Sequence, residues 1–233
     1  MTTPTAAPAA GAQKSPALRL GESRWPPALA LLAFLALNIA LRIWLPPVGL
    51  IRLPWLLPGV EAILLFLLLA GDPARLAPRK RWLRPVVVGL VCLLVAAALW
   101  GTALLVYDLI KGTGVTNSAQ ELLALGGLTW LGNNLAFALL YWLIDGGGPL
   151  SRSQLEVPID FAFTQQLTPE LAPPGWKPVF LDYLHLGFTN GTAFSPTDTM
   201  PLSLRAKYTM LVQSTVALAL FGLIVARAVN AFT

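Results

Sequence analysis

The chain has 233 residues, 56% hydrophobic and 12% charged, where soluble domains carry about 25% charged residues. Its apolar residues come in long blocks, which excludes an ordinary soluble class and points to one integral membrane domain. The net charge of +5 comes from clustered Arg and Lys without aromatic interleaving, so nucleic acid is not an expected partner. The single Cys92 lies inside an apolar run, which excludes a disulfide framework and a cysteine metal site.

In chain order, residues 1–27 are Thr, Ala, Pro and Gly with scattered basic residues, and are expected to be a disordered tail. The remainder, 28–232, is expected to be a single transmembrane domain. Its first span covers 28–45, carries Asn38 and Arg42, and is stopped by Pro46-Pro47. The second covers 51–70, with Glu61 in the first turn of a helix that starts at Pro58. An intramembrane carboxylate is a functional candidate, and its simplest structural partner is Arg42.

Residues 71–84, GDPARLAPRKRWLR, hold the densest positive charge and read as a cytoplasmic loop. The third span covers 85–110 and the fourth 121–144. The fourth carries Gly126, Gly127 and Gly132 as a small-residue face for close helix packing. Asn133 and Asn134 lie within it and need partners, either other helices or a watered path. Asp145-Gly-Gly-Gly-Pro149 ends that helix, and 150–177 reads as a Pro-rich loop of mixed charge.

Pro178 to Pro201 is apolar enough to enter a bilayer, yet its helical part is about a dozen residues long, short of the ~20 needed to cross. Asp182, His185, Thr189 and Thr192 recur in steps of three and four, which gathers them on one helix face. A polar turn, Ser195-Pro196-Thr197-Asp198, precedes a last span at 205–232. The fold expected is all-α: a polytopic membrane helix bundle of five transmembrane helices with one re-entrant half-helix hairpin at 178–201.

That order of long helix, half-helix, polar turn and long helix resembles the pore module of potassium-channel-type proteins. Set on the family's filter pattern Thr-Val-Gly-Tyr-Gly-Asp, the segment aligns without a gap. Thr192 falls on the threonine ahead of the filter, Phe194 on its valine and Asp198 on the closing aspartate. Ser195 and Thr197 replace the two glycines and Pro196 the tyrosine, so potassium selectivity does not carry over. The whole layout is also similar to an uncharacterised bacterial integral-membrane family, which brings no activity with it.

The resemblance implies a channel-like protein passing monovalent cations through a homo-oligomer, a tetramer if pore-like. Its pore-like hairpin would comprise Asp182, His185, Thr189, Asn190, Thr192, Phe194, Ser195, Pro196, Thr197 and Asp198. Against this stands a non-conducting membrane scaffold or accessory subunit that binds a partner through its small-residue helix faces. An intramembrane enzyme would use Asp182 and His185 to orient a base for Ser195. The chain holds one histidine and no nucleophile motif, so no enzyme, metal or cofactor is expected. The expected setting is the cell membrane, crossed several times and with the N-terminus in the cytoplasm, the lipid bilayer being the first partner.

Overall fold

The computed structural model describes residues 22–23, 25–44, 56–70, 83–111, 119–154, 157–192 and 198–232. Of these, 82% are α-helical. The long helices are α1 (Trp25–Trp44), α2 (Leu56–Ala70), α3 (Leu83–Lys111), α4 (Ala119–Ile144) and α8 (Leu204–Phe232). Between α4 and α8 lie α5 (Pro149–Gln154), β1 (Phe161–Phe163), α6 (Thr164–Leu167), α7 (Phe180–Thr192) and β2 (Thr199–Pro201).

The all-α expectation holds, with a correction to its count. Among the described residues three helices, not five plus a re-entrant one, are long and apolar enough to cross a membrane: Arg84–Lys111, Gln120–Gly147 and Leu204–Ala226. The first two expected spans, 28–45 and 51–70, contain shorter apolar helices of 10–17 residues, Trp25–Ile39 and Pro58–Leu69. At ~1.5 Å rise per residue these fall short of the ~30 Å hydrocarbon layer. Helix α1 begins at Trp25, three residues before the expected span, and residues 1–21 of the expected tail lie outside the described ones.

Helix α4 is the centre. Gly132 to Leu143 are buried without interruption, because α1, α3, α7 and α8 all pack on it. A periodic apolar stripe would need only one neighbour; a helix covered on all sides must be apolar all round. Two of its three glycines mark close approaches. A β-carbon on Gly126 would overlap Ile224 of α8, and one on Gly132 would overlap Phe34 of α1, whereas Gly127 faces open space. The main core runs from Leu31 and Leu64 through Leu94 and Phe137 to Tyr183 and Met210. A second, smaller core at the opposite end joins Leu105, Leu109, Leu122, Leu220 and Ile224.

Helix α4 stops where Gly146, Gly147 and Gly148 take φ of 53°, 76° and 96°, angles open to glycine and rare for other residues. The chain then builds a small cap from α5, β1 and α6. Strand β1 pairs antiparallel with β2, in the register Phe161 with Pro201 and Phe163 with Thr199. Glu22, ahead of α1, reaches the end of α4, and the Arg84 guanidinium at the start of α3 lies beside Gly147. Glu22, the start of α3 and the cap therefore share one face, and α1 packs against α2.

Candidate functional site: the half-length helix and its seat

Helix α7 starts with a reciprocal cap. The Asp182 carboxylate accepts from Val179 N–H at 2.7 Å, while Asp182 N–H donates to Val179 O at 2.9 Å. A carboxylate in the first turn also meets the positive end of the helix. From there α7 runs antiparallel to α4. The Phe180 ring packs edge-on against Trp142, with centroids 5.8 Å apart, and Tyr183 O–H donates to Asp145 Oδ2. Further along, Gly187 lies against Asn134 and Ala138, and Gly191 against Asn134. Finally Trp130 Nε1 donates to Gly191 O at 3.1 Å. The C-terminal end of α7 thus lies level with the middle of α4.

The glycines make this seat. A β-carbon on Gly187 would sit 2.9 Å from the backbone oxygen of Asn134, and one on Gly191 would overlap the Asn134 carboxamide. Four residues apart, they open one face of α7 for α4 to approach. A polar network then locks α4, α7 and α8 together. Gln213, 1% exposed, accepts from Tyr141 O–H at 2.7 Å and from Asn190 Nδ2 at 2.9 Å. Its amide nitrogen donates to Asn134 Oδ1 at 3.0 Å and to Gly187 O at 2.7 Å. Asn190 also donates to Met210 O at 3.0 Å. Each polar group of Gln213 is thereby satisfied, as burial requires.

The expected polar face exists and points outward. Phe180, Tyr183, Leu186, Gly187 and Asn190 are buried, whereas Asp182, His185, Thr189 and Thr192 lie on the opposite side. Thr189 and Thr192 bond back to His185 O and Phe188 O within α7. His185, its side chain 61% exposed, meets Asp198 Oδ2 at 3.0 Å and so ties the returning chain to the helix. Asp198 O also accepts from Thr164 N–H at 3.1 Å in the cap.

The site residues expected from the sequence therefore separate. Asp182, His185, Thr189, Thr192 and Asp198 share one outer surface. Asn190 and Asn134 belong to the inner network instead. Asn133 donates to Thr102 Oγ1 at 2.7 Å, joining α4 to α3. Glu61 is buried and accepts from Asn38 Nδ2 at 3.0 Å, joining α2 to α1. The Arg42 side chain, Phe194, Ser195, Pro196 and Thr197 lie outside the described residues, and the expected Glu61–Arg42 pair with them.

A third group of polar residues, in the cap, was not anticipated as a site. Asp145, read as part of a helix stop, is fully buried; its Oδ1 accepts from the Asp160 and Phe161 N–H groups at 2.7 and 3.2 Å. Arg205 forks onto both Asp160 oxygens at 2.6 Å. Arg152 donates to Trp142 O and Asp145 O, each at 2.7 Å, satisfying carbonyls at the end of α4. Glu22 accepts from Trp142 Nε1 and Phe180 N–H at 2.8 and 2.6 Å.

Burial pushes the Glu22 carboxyl above its usual range, against the pull of Arg152 and those two N–H groups. Burial also acts to raise Asp160, but the Arg205 fork and charge, with Ser203 and Gly146 N–H, outweigh it and hold Asp160 below the usual carboxylate range. One signal of this cluster was present in the sequence. An aspartate at a helix C-terminus opposes the helix dipole and needs compensating donors.

Among the described residues, no group of His, Cys, Asp and Glu side chains is arranged to hold a metal ion. The chain matches no family model, no curated protein and no solved structure.

Proposed function

We propose that the protein is a channel-like membrane protein in which α7 and the returning chain form a pore loop, with copies arranged about an axis, four if the arrangement is pore-like. The observation that carries this reading is the outward polar face of α7. In this reading α7 dips to the middle of the layer spanned by α4, and its own chain does not enclose Asp182, His185, Thr189 and Thr192. Facing lipid, polar and ionisable groups cost free energy, and those on this face lie between the end and the middle of α4. A second copy across an axis, with water between, removes that cost. The C-terminal end of α7 carries a partial negative charge of about half a unit at mid-depth, which with Asp198 favours cations.

The cap shares a face with Arg84, the last residue of the basic segment 71–84; taking that face as cytoplasmic by the positive-inside rule, the loop enters from inside and the N-terminus lies inside too. Membrane-embedded half-helices are tolerated where they are buried in protein or line water, as this assembly provides. The scaffold reading relied on the small-residue face of α4. Ile224 and Phe34 of the same chain occupy Gly126 and Gly132, which leaves Gly127 alone for a partner.

The test is monovalent cation flux into liposomes that contain the purified protein. Flux above empty liposomes, altered by Asp198→Asn, supports the pore. Equal flux with and without protein, at either polarity and across pH, would exclude it.

A further inference from the structure

A groove of about 260 Å³ opens at the side of the cap, lined by Arg152, Val157, Ile159, Gln166, Trp176 and Lys177, and closed by Pro178. Among the described residues its polar lining is made of donors, and none of them is a carboxylate. Arg152 is held from several sides: Nη1 by Trp142 O and Asp145 O, and the guanidinium 4.9 Å above the Tyr183 ring. The side chain is 7% exposed, and buried Nη2 has no hydrogen-bond partner among the described residues. The nearest carboxylate, Glu22, stands 3.7 Å from Nη2, close enough for attraction and too far for a hydrogen bond. Gln166 spends its oxygen on Phe163 N–H at 3.0 Å, which leaves its amide nitrogen as a further donor.

We infer that this groove binds a phosphate group, carried either by an anionic phospholipid headgroup or by a free phosphate ester. A buried guanidinium with an idle nitrogen loses stability until an acceptor reaches it. Phosphate oxygens suit a planar donor fork, and an ammonium beside it adds charge. Val157, Ile159 and Pro178 offer an apolar wall for the carbon portion of the ligand. The groove lies just ahead of α7, on the face that carries Arg84, where Trp and Lys side chains suit a membrane surface. The inference does not depend on conduction, since the groove is built within one chain.

Full-length protein, delipidated in detergent, is titrated with inorganic phosphate in one arm and with phosphatidylglycerol in phosphatidylcholine mixed micelles in the other. Bound ligand is counted by native mass spectrometry. Lys177→Gln and Gln166→Leu should each weaken binding, Lys177→Gln by about tenfold, with the unfolding temperature of each variant measured alongside to separate lost binding from a loosened cap. Arg152→Lys should weaken it further, and its unfolding temperature separates lost binding from a lost cap. Saturation in the lipid arm alone assigns a headgroup, and saturation in both arms assigns a free phosphate group. Binding in neither arm, or binding that Lys177→Gln and Gln166→Leu both leave intact, overturns the inference.

Discussion

Gln213→Leu tests the seat of α7 most directly. The substitution keeps the size of the side chain and removes its bonds to α4 and α7. Not every partner is stranded. Asn190 keeps Met210 O, and Gly187 O remains a helix carbonyl. Two buried groups do lose their partner: Tyr141 O–H has no other acceptor, and Asn134 Oδ1 has no other donor, among the described bonds. At about 1–2 kcal/mol for each orphaned group, the loss is about 2–4 kcal/mol. Equilibrium unfolding in mixed micelles measures it. The double variant Tyr141→Phe/Gln213→Leu removes the orphaned hydroxyl as well, so it should recover about 1 kcal/mol relative to additivity. Strict additivity, or a loss under about 0.5 kcal/mol in the single variant, would mean that the network does not hold the helices together.

Two further outcomes follow from the same geometry. Gly187→Ala drives a methyl group into the Asn134 backbone and should cost about 1–3 kcal/mol, while Gly127→Ala, in open space, should cost nothing; equal effects would contradict the close approach. Because Asp160 is held below the usual range, its contribution is complete above the unfolded value of about 3.9 and disappears as pH falls through the lower folded value. Protease cleavage of the cap should therefore accelerate below about pH 4, and Asp160→Asn should be cleaved quickly at every pH, so a matching acid slope in both proteins would refute the Arg205–Asp160 link.

The candidate spans α3, α4 and α8 were legible because length and apolarity are properties of the sequence itself. So was the short helix at 180–192, with the spacing of its polar face. What the sequence concealed was how the helix is seated. Gly191, near the end of that helix, is a packing surface; Asn190 read as one of the pore-like polar residues and belongs to the inner network. Gln213 carries no local signal beyond being a polar residue in an apolar helix, since its partners lie 23 to 79 residues away. The cap was hidden for the same reason: Asp145 meets its backbone partners 15 and 16 residues later, across a stretch that reads as Pro-rich loop. The second expected span, 51–70, misled because a run holding Pro54 and Pro58 adds up in composition while α2 has only 15 residues.

The seat of α7 has a consequence for how the chain is made. Trp130, Asn134 and Tyr141 leave the ribosome before α7, whereas Gln213 and the Met210 carbonyl leave after it. When α7 first emerges it is too short to be recognised as a crossing, and half of its polar contacts have yet to be synthesised. Its contacts with Trp130, Trp142 and Asp145 need nothing made later, and the last helix delivered adds the Gln213 and Met210 bonds that fasten the half-helix in place.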